Sequence, residues 1–126
     1  MKLLLFLAIV AIATPSFAES PFACNRAALT AQARKRHFDE LSPALRARKK
    51  SIRELRDGFE FEFPSDTPMY QLVSEWVAGE RLCCPFFDID VHVEREGGSL
   101  WLRLTGPRRR EAVHPLRFCR LVPELV

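Results

Sequence analysis

The run Glu80-Arg81-Leu82-Cys83-Cys84-Pro85-Phe86-Phe87 constrains this chain more than any other feature, because it sets a carboxylate and two adjacent thiols at the end of an amphipathic helix. Counted at about 100° per residue from Met69, the positions Leu72, Val73, Trp76, Glu80 and Cys83 fall within roughly 60° of one line, with Cys84 at its edge. Glu80 therefore sits on the buried stripe. A buried carboxylate is costly unless it is paired, neutralised or bound to a cation, and both sulfurs stand within one turn of it, at i+3 and i+4. Thr67-Pro68 reads as N-cap and first helical residue, and Pro85 stops the helix.

The amino terminus carries Lys2, an apolar stretch from Leu3 to Ala13 and a small-residue site at Ser16-Phe17-Ala18, the pattern of a secretory signal peptide cleaved after Ala18. Its apolar stretch is too short to span a bilayer, and no later segment is longer, so the expectation is a periplasmic or secreted protein without a membrane anchor after cleavage. Cleavage removes one basic residue, Lys2, from the 19 Lys and Arg and leaves 16 acidic residues, a formal charge of +2. That balance, with the arginines scattered apart from Arg108, Arg109 and Arg110 and no aromatics around these, speaks against a nucleic-acid partner. Residues 19–126, 48% hydrophobic over the whole chain, suit a single domain.

Periodicity orders that domain. Thr30 caps a helix through Arg34-Lys35-Arg36-His37-Phe38-Asp39-Glu40-Leu41, in which Phe38, Leu41 and Leu45 are helically spaced, His37 flanks the apolar stripe and Pro43 after Ser42 marks a kink or restart. Two strands flank Asp57-Gly58, a dipeptide suited to the positive φ of a tight turn, with Phe59, Phe61 and Phe63 inward and Glu60 and Glu62 outward. After the long helix, Phe87, Ile89, Val91 and Val93 alternate with Asp88, Asp90, His92 and Glu94; Gly97-Gly98 turns the chain; and Leu100 to Leu104 returns with its leucines buried. Gly106-Pro107 leads to a short last helix. The order α-ββ-α-ββ-α predicts an α+β fold, a small antiparallel sheet of about four strands in two hairpins covered by helices on one face.

Four cysteines in an exported chain allow three readings. Cys83 and Cys84 are poor partners for each other, since adjacent Cα atoms lie about 3.8 Å apart and disulfides usually want about 4.4–6.8 Å. In the first reading Cys24 and Cys119 pair with them as a structural disulfide framework. In the second, Cys24, Cys83 and Cys84 ligate a thiophilic ion such as zinc or copper(I), with Glu80 or His37 completing the set, although adjacent cysteines lack the two-residue spacing of common zinc knuckles. In the third the thiols exchange disulfides, but a helix C-terminus works against a reactive thiolate. His92 among acidic neighbours and His114 before Pro115 read as surface residues. No Ser/His/Asp arrangement, phosphate-binding glycine loop or HExxH pattern is present, so no catalytic residue is assigned.

The segments Phe22-Ala23-Cys24, Arg34 to His37, Asp57-Gly58-Phe59, Glu80 to Phe87 and Leu100 to Pro107 together resemble a group of small uncharacterised bacterial proteins with an early cysteine, an ExxCCPF helix end and a WLxLTG strand. The resemblance spans nearly all of the chain after the leader. It implies a shared fold and a shared constellation of Cys24, His37, Glu80, Cys83 and Cys84, and no activity. Cys119 and the leader lie outside that pattern.

Overall fold

A computed structural model describes residues 23–106 and Leu125. The leader, the arginine run, His114, Cys119 and the expected last helix lie outside the described residues.

After a 3-10 turn at Arg26–Ala28, helix α1 (Ala31–Lys35) starts where expected, with Thr30 Oγ1 accepting from the Ala33 N–H at 3.1 Å. It runs through a π-helical stretch (Arg36–Leu41) into α2 (Ser42–Arg48). The kink expected at Pro43 thus takes the form of one widened turn: the Ser42 N–H bonds back to the His37 carbonyl, five residues away, and Ser42 Oγ donates to the same oxygen at 2.8 Å. Pro43, with no N–H to give, sits in the first turn of α2, where none is needed.

Strands β1 (Ser51–Leu55) and β2 (Gly58–Phe63) form the first hairpin, helix α3 (Thr67–Cys83) crosses the sheet, and β3 (Asp88–Val93) and β4 (Leu100–Thr105) form the second. The four-stranded antiparallel sheet has the order β1-β2-β4-β3, so the two hairpins join through β2 and β4, with Phe61 opposite Leu102. This is the α+β architecture that the periodicity predicts. Phe59, Phe61, Phe63, Leu100, Leu102 and Leu104 face the helices and pack with Met69, Val73, Trp76, Leu41 and Leu45. Each such large side chain contributes about 1.5–3 kcal/mol when fully buried.

Local expectations fail at three places. Asp66, one residue earlier than expected, caps α3 by accepting from the Met69 N–H at 2.9 Å, and Pro68 lies within the first turn. Gly58 has no positive φ; it opens β2 opposite Thr105, where a Cβ would lie 1.9 Å from the Leu104 carbonyl oxygen, so its role is close approach of two strands. In the second hairpin the positive φ values fall on Glu96 and Gly97, one position before the expected pair. Glu60 does lie on the outer face but is buried there, because Arg53 and Arg103 on the flanking strands close over its carboxylate at 3.1 and 2.9 Å. Along edge strand β3 burial fades outward from Phe87: Ile89 is half-buried, whereas Val91 and Val93 are 48% and 46% exposed.

Candidate functional site

The chemistry gathers where the C-terminal end of α3 meets the π-helical stretch. Glu80 and Cys83, one turn apart on α3, are both wholly buried, as the helical stripe requires. The widened turn brings His37 inward against them. Its Nε2 lies 3.0 Å from Glu80 Oε2, and Cys83 Sγ lies 3.7 Å from the same oxygen. One carboxylate oxygen is thus shared by an imidazole and a thiol.

A surrounding shell fixes the imidazole. Trp76 stacks on it with ring centroids 5.4 Å apart and Phe38 meets it edge-on at 4.7 Å. Trp76 Nε1 donates to Ser42 Oγ at 3.0 Å, and Ser42 Oγ in turn donates to the His37 carbonyl. The backbone of α3 passes so close at Gly79 that a Cβ there would lie 2.5 Å from His37 Nδ1. A groove between the first helical segment and α3, lined among others by Thr30, Ala33, Gly79 and Leu82, has His37 in its wall. Arg36 spans that groove with two bonds of 2.8 Å to Glu75 and one of 2.7 Å to Glu40, which lower the Glu75 carboxyl and raise the guanidinium.

Cys84 caps α3 through a bond from its N–H to the Glu80 carbonyl at 2.8 Å and forms a disulfide with Cys24, the Cα atoms being 4.6 Å apart. The early cysteine is therefore beside the pair, as expected, and is covalently bound to one member of it. The Asn25 N–H completes the junction by donating to the Cys83 carbonyl at 2.7 Å, so the N-terminal segment satisfies one of the carbonyls a helix end leaves open. Cys83 retains its thiol, 3.6 Å from Cys84 Sγ. While the disulfide stands, Cys24 and Cys84 are not thiolates. His92 lies on an exposed edge strand, away from this cluster.

Two sets of ligand atoms lie within 4.8 Å of one another: His37, Glu80 and Cys83, and Cys24, Glu80 and Cys84. Four-coordinate zinc with bonds of about 2.0–2.3 Å places neighbouring ligand atoms about 3.3–3.7 Å apart, which the 3.0 and 3.7 Å separations at Glu80 bracket. Moreover, His37 Nδ1 and Glu80 Oε1 are buried with no hydrogen-bond partner among the described residues. Such buried, unmatched polar atoms are unusual in a folded interior. Ser42, Trp76 and Gly79 support the site without having been singled out; the available signals were the kink at Pro43 and a lone glycine inside a helix pattern.

No family model, curated protein or solved structure matches this chain. Its function must be argued from the cluster itself.

Proposed function

We propose that the protein is an exported binder of a thiophilic or borderline metal ion, held through Glu80, His37 and Cys83. The observation that carries this reading is the single buried Glu80 oxygen, approached by His37 Nε2 at 3.0 Å and by Cys83 Sγ at 3.7 Å in a place from which water is excluded. A nitrogen, an oxygen and a sulfur donor on one site suit zinc, and the sulfur admits softer ions such as copper(I). Cys83 binds an ion as the thiolate, so uptake releases a proton. The groove beside His37 is the access route.

Export is part of the proposal. The leader pattern at residues 1–18 supports it, as does a disulfide between Cys24 and Cys84, a bond at home in oxidising compartments. No helix among the described residues is long and apolar enough to cross a membrane. Intact mass of protein recovered from the periplasm or medium, beginning at Glu19, tests this directly; a species retaining the leader contradicts it.

Equilibrium dialysis of the oxidised full chain against zinc tests the ligand reading. About one ion per chain is expected, with at least tenfold weaker binding in Glu80→Gln and Cys83→Ser and none of that loss in Cys119→Ser. The second reading, a disulfide-braced interaction domain, is favoured by the tie between Cys24 and Cys84 across a sequence separation of 60. Its signature is a protein that takes up no ion and loses its fold on reduction.

A further inference from the structure

We propose that the Cys24–Cys84 disulfide is a redox lock on the ion site, so that reduction converts a site with one thiol into one with three; this rests on the ion-binding reading above. Glu80 belongs to both candidate ligand sets, one completed by His37 and Cys83 and the other by Cys24 and Cys84. Cys84 Sγ already lies 3.6 Å from Cys83 Sγ, so a thiolate released there arrives within bonding reach of an ion held on Glu80. The disulfide is also asymmetric. Cys24 is half-buried in the segment ahead of α1, whereas Cys84 is buried against the helix end. The Cys24 side is the more open of the two to an external sulfur.

The step that opens the lock is a two-electron exchange with a dithiol reductant. One reductant thiolate attacks Cys24 Sγ; the S–S electron pair leaves on Cys84 Sγ, which takes a proton or binds the ion directly. The second reductant thiolate then attacks its own partner sulfur in the mixed disulfide, and Cys24 is released as the reductant becomes a disulfide. Because Cys84 is the leaving group and lies beside the ion, a bound thiophilic ion favours the reduced form. Linkage makes the effect reciprocal: reduction tightens ion binding by the same factor by which the ion favours reduction.

Cadmium(II) is the probe, since it is not itself a redox partner and its thiolate complexes have a charge-transfer absorption in the ultraviolet. The full chain carrying Cys119→Ser is titrated with cadmium in the oxidised state and, under anaerobic conditions, after reduction, with a competing chelator setting the affinity scale. The reduced form is expected to bind at least tenfold tighter, with a thiolate-to-cadmium absorption about threefold more intense. One equivalent of cadmium should then raise the midpoint potential of the disulfide by at least about 30 mV, the shift equivalent to tenfold for a two-electron couple. Cys24→Ser, which leaves Cys83 and Cys84 as permanent thiols, should bind with an affinity independent of added reductant. Uptake by the reduced form alone upholds the lock while overturning ion binding by the oxidised chain. Equal affinity and absorption in both states, or a midpoint that cadmium does not move, overturns the lock while leaving ion binding by His37, Glu80 and Cys83 intact. Absence of uptake in both states overturns the ion-binding reading and the lock with it. The midpoint shift is read on protein with all three clustered cysteines, so it stands even if the variant does not fold.

Discussion

Gly79 and His37 are in contact across two helices, with the space of a missing Cβ filled by the imidazole: a side-chain carbon at Gly79 would sit 2.5 Å from His37 Nδ1. In an unobstructed helix interior, replacing glycine by alanine stabilises by about 0.5–1 kcal/mol. Here the added methyl has to move a ring already packed by Trp76 and Phe38. Gly79→Ala is therefore expected to lower the melting temperature and to weaken zinc binding at least tenfold, measured by thermal denaturation and dialysis. A more stable variant with unchanged binding would show that the close approach has no bearing on the site.

The His37–Glu80 pair should trade stability against binding. Removing one partner of a buried polar pair leaves the other unmatched, so His37→Ala is expected to cost about 1–3 kcal/mol in urea denaturation. Replacing both partners by apolar residues of similar size, His37→Leu together with Glu80→Met, removes the pair and the unmatched Oε1 at once, and should be neutral or stabilising while abolishing ion uptake. Loss of stability in that double variant would mean that the pair is retained for the fold.

Breaking the Cys24–Cys84 bond by Cys24→Ser releases a loop closed across 60 positions, worth about 4 kcal/mol in the chain-entropy account. The same bond holds the segment whose Asn25 N–H meets the Cys83 carbonyl. Hydrogen exchange should consequently rise at Asn25 and in the last turn of α3, and remain slow in β2 and β4. Uniform exchange across the sheet as well would contradict a local role for the tie.

Two of the depressed carboxylates, Glu62 and Asp66, contribute to an acid limb. Glu62, bonded to Ser99, Ser51 and Lys50, is held down to about 2 from its ordinary 4.5, and Asp66 is lowered by Arg48 and then by the Met69 N–H it caps. Because the folded protein depresses both, their contribution is fully present above the ordinary carboxylate range and is lost as pH falls, for Glu62 between about 4.5 and about 2. Midpoints in urea are expected to drop steadily through that window. Asp66→Asn and Glu62→Gln should each flatten the drop, and an unchanged slope in both variants would assign the acid limb to other groups.

Much of this was legible in the sequence wherever a period met a strong breaker. The alternation of Phe59, Phe61 and Phe63, the leucines of β4 and the stop at Pro85 each repeat a simple pattern, and the stripe through Trp76, Glu80 and Cys83 locates the site on α3. Pairing across the chain was less legible. His37 flanks its apolar stripe in a regular helix, and only the widened turn at Ser42 and the gap at Gly79 bring it onto Glu80. Likewise, spacing left Cys24 free to pair with either Cys83 or Cys84; the choice follows from which of them lies past the helix end and faces the returning N-terminal segment. The shifts at Asp66 and Glu96 are one-residue offsets in cap and turn.

X-ray absorption at the zinc edge, on oxidised full-length protein loaded with one equivalent, reads the ligand set itself. One sulfur at about 2.3 Å is expected together with nitrogen and oxygen neighbours at about 2.0–2.1 Å, including an imidazole contribution that disappears in His37→Gln. A shell of oxygen and nitrogen alone, or one unchanged by loss of His37 and Cys83, would contradict ion binding through Glu80, His37 and Cys83.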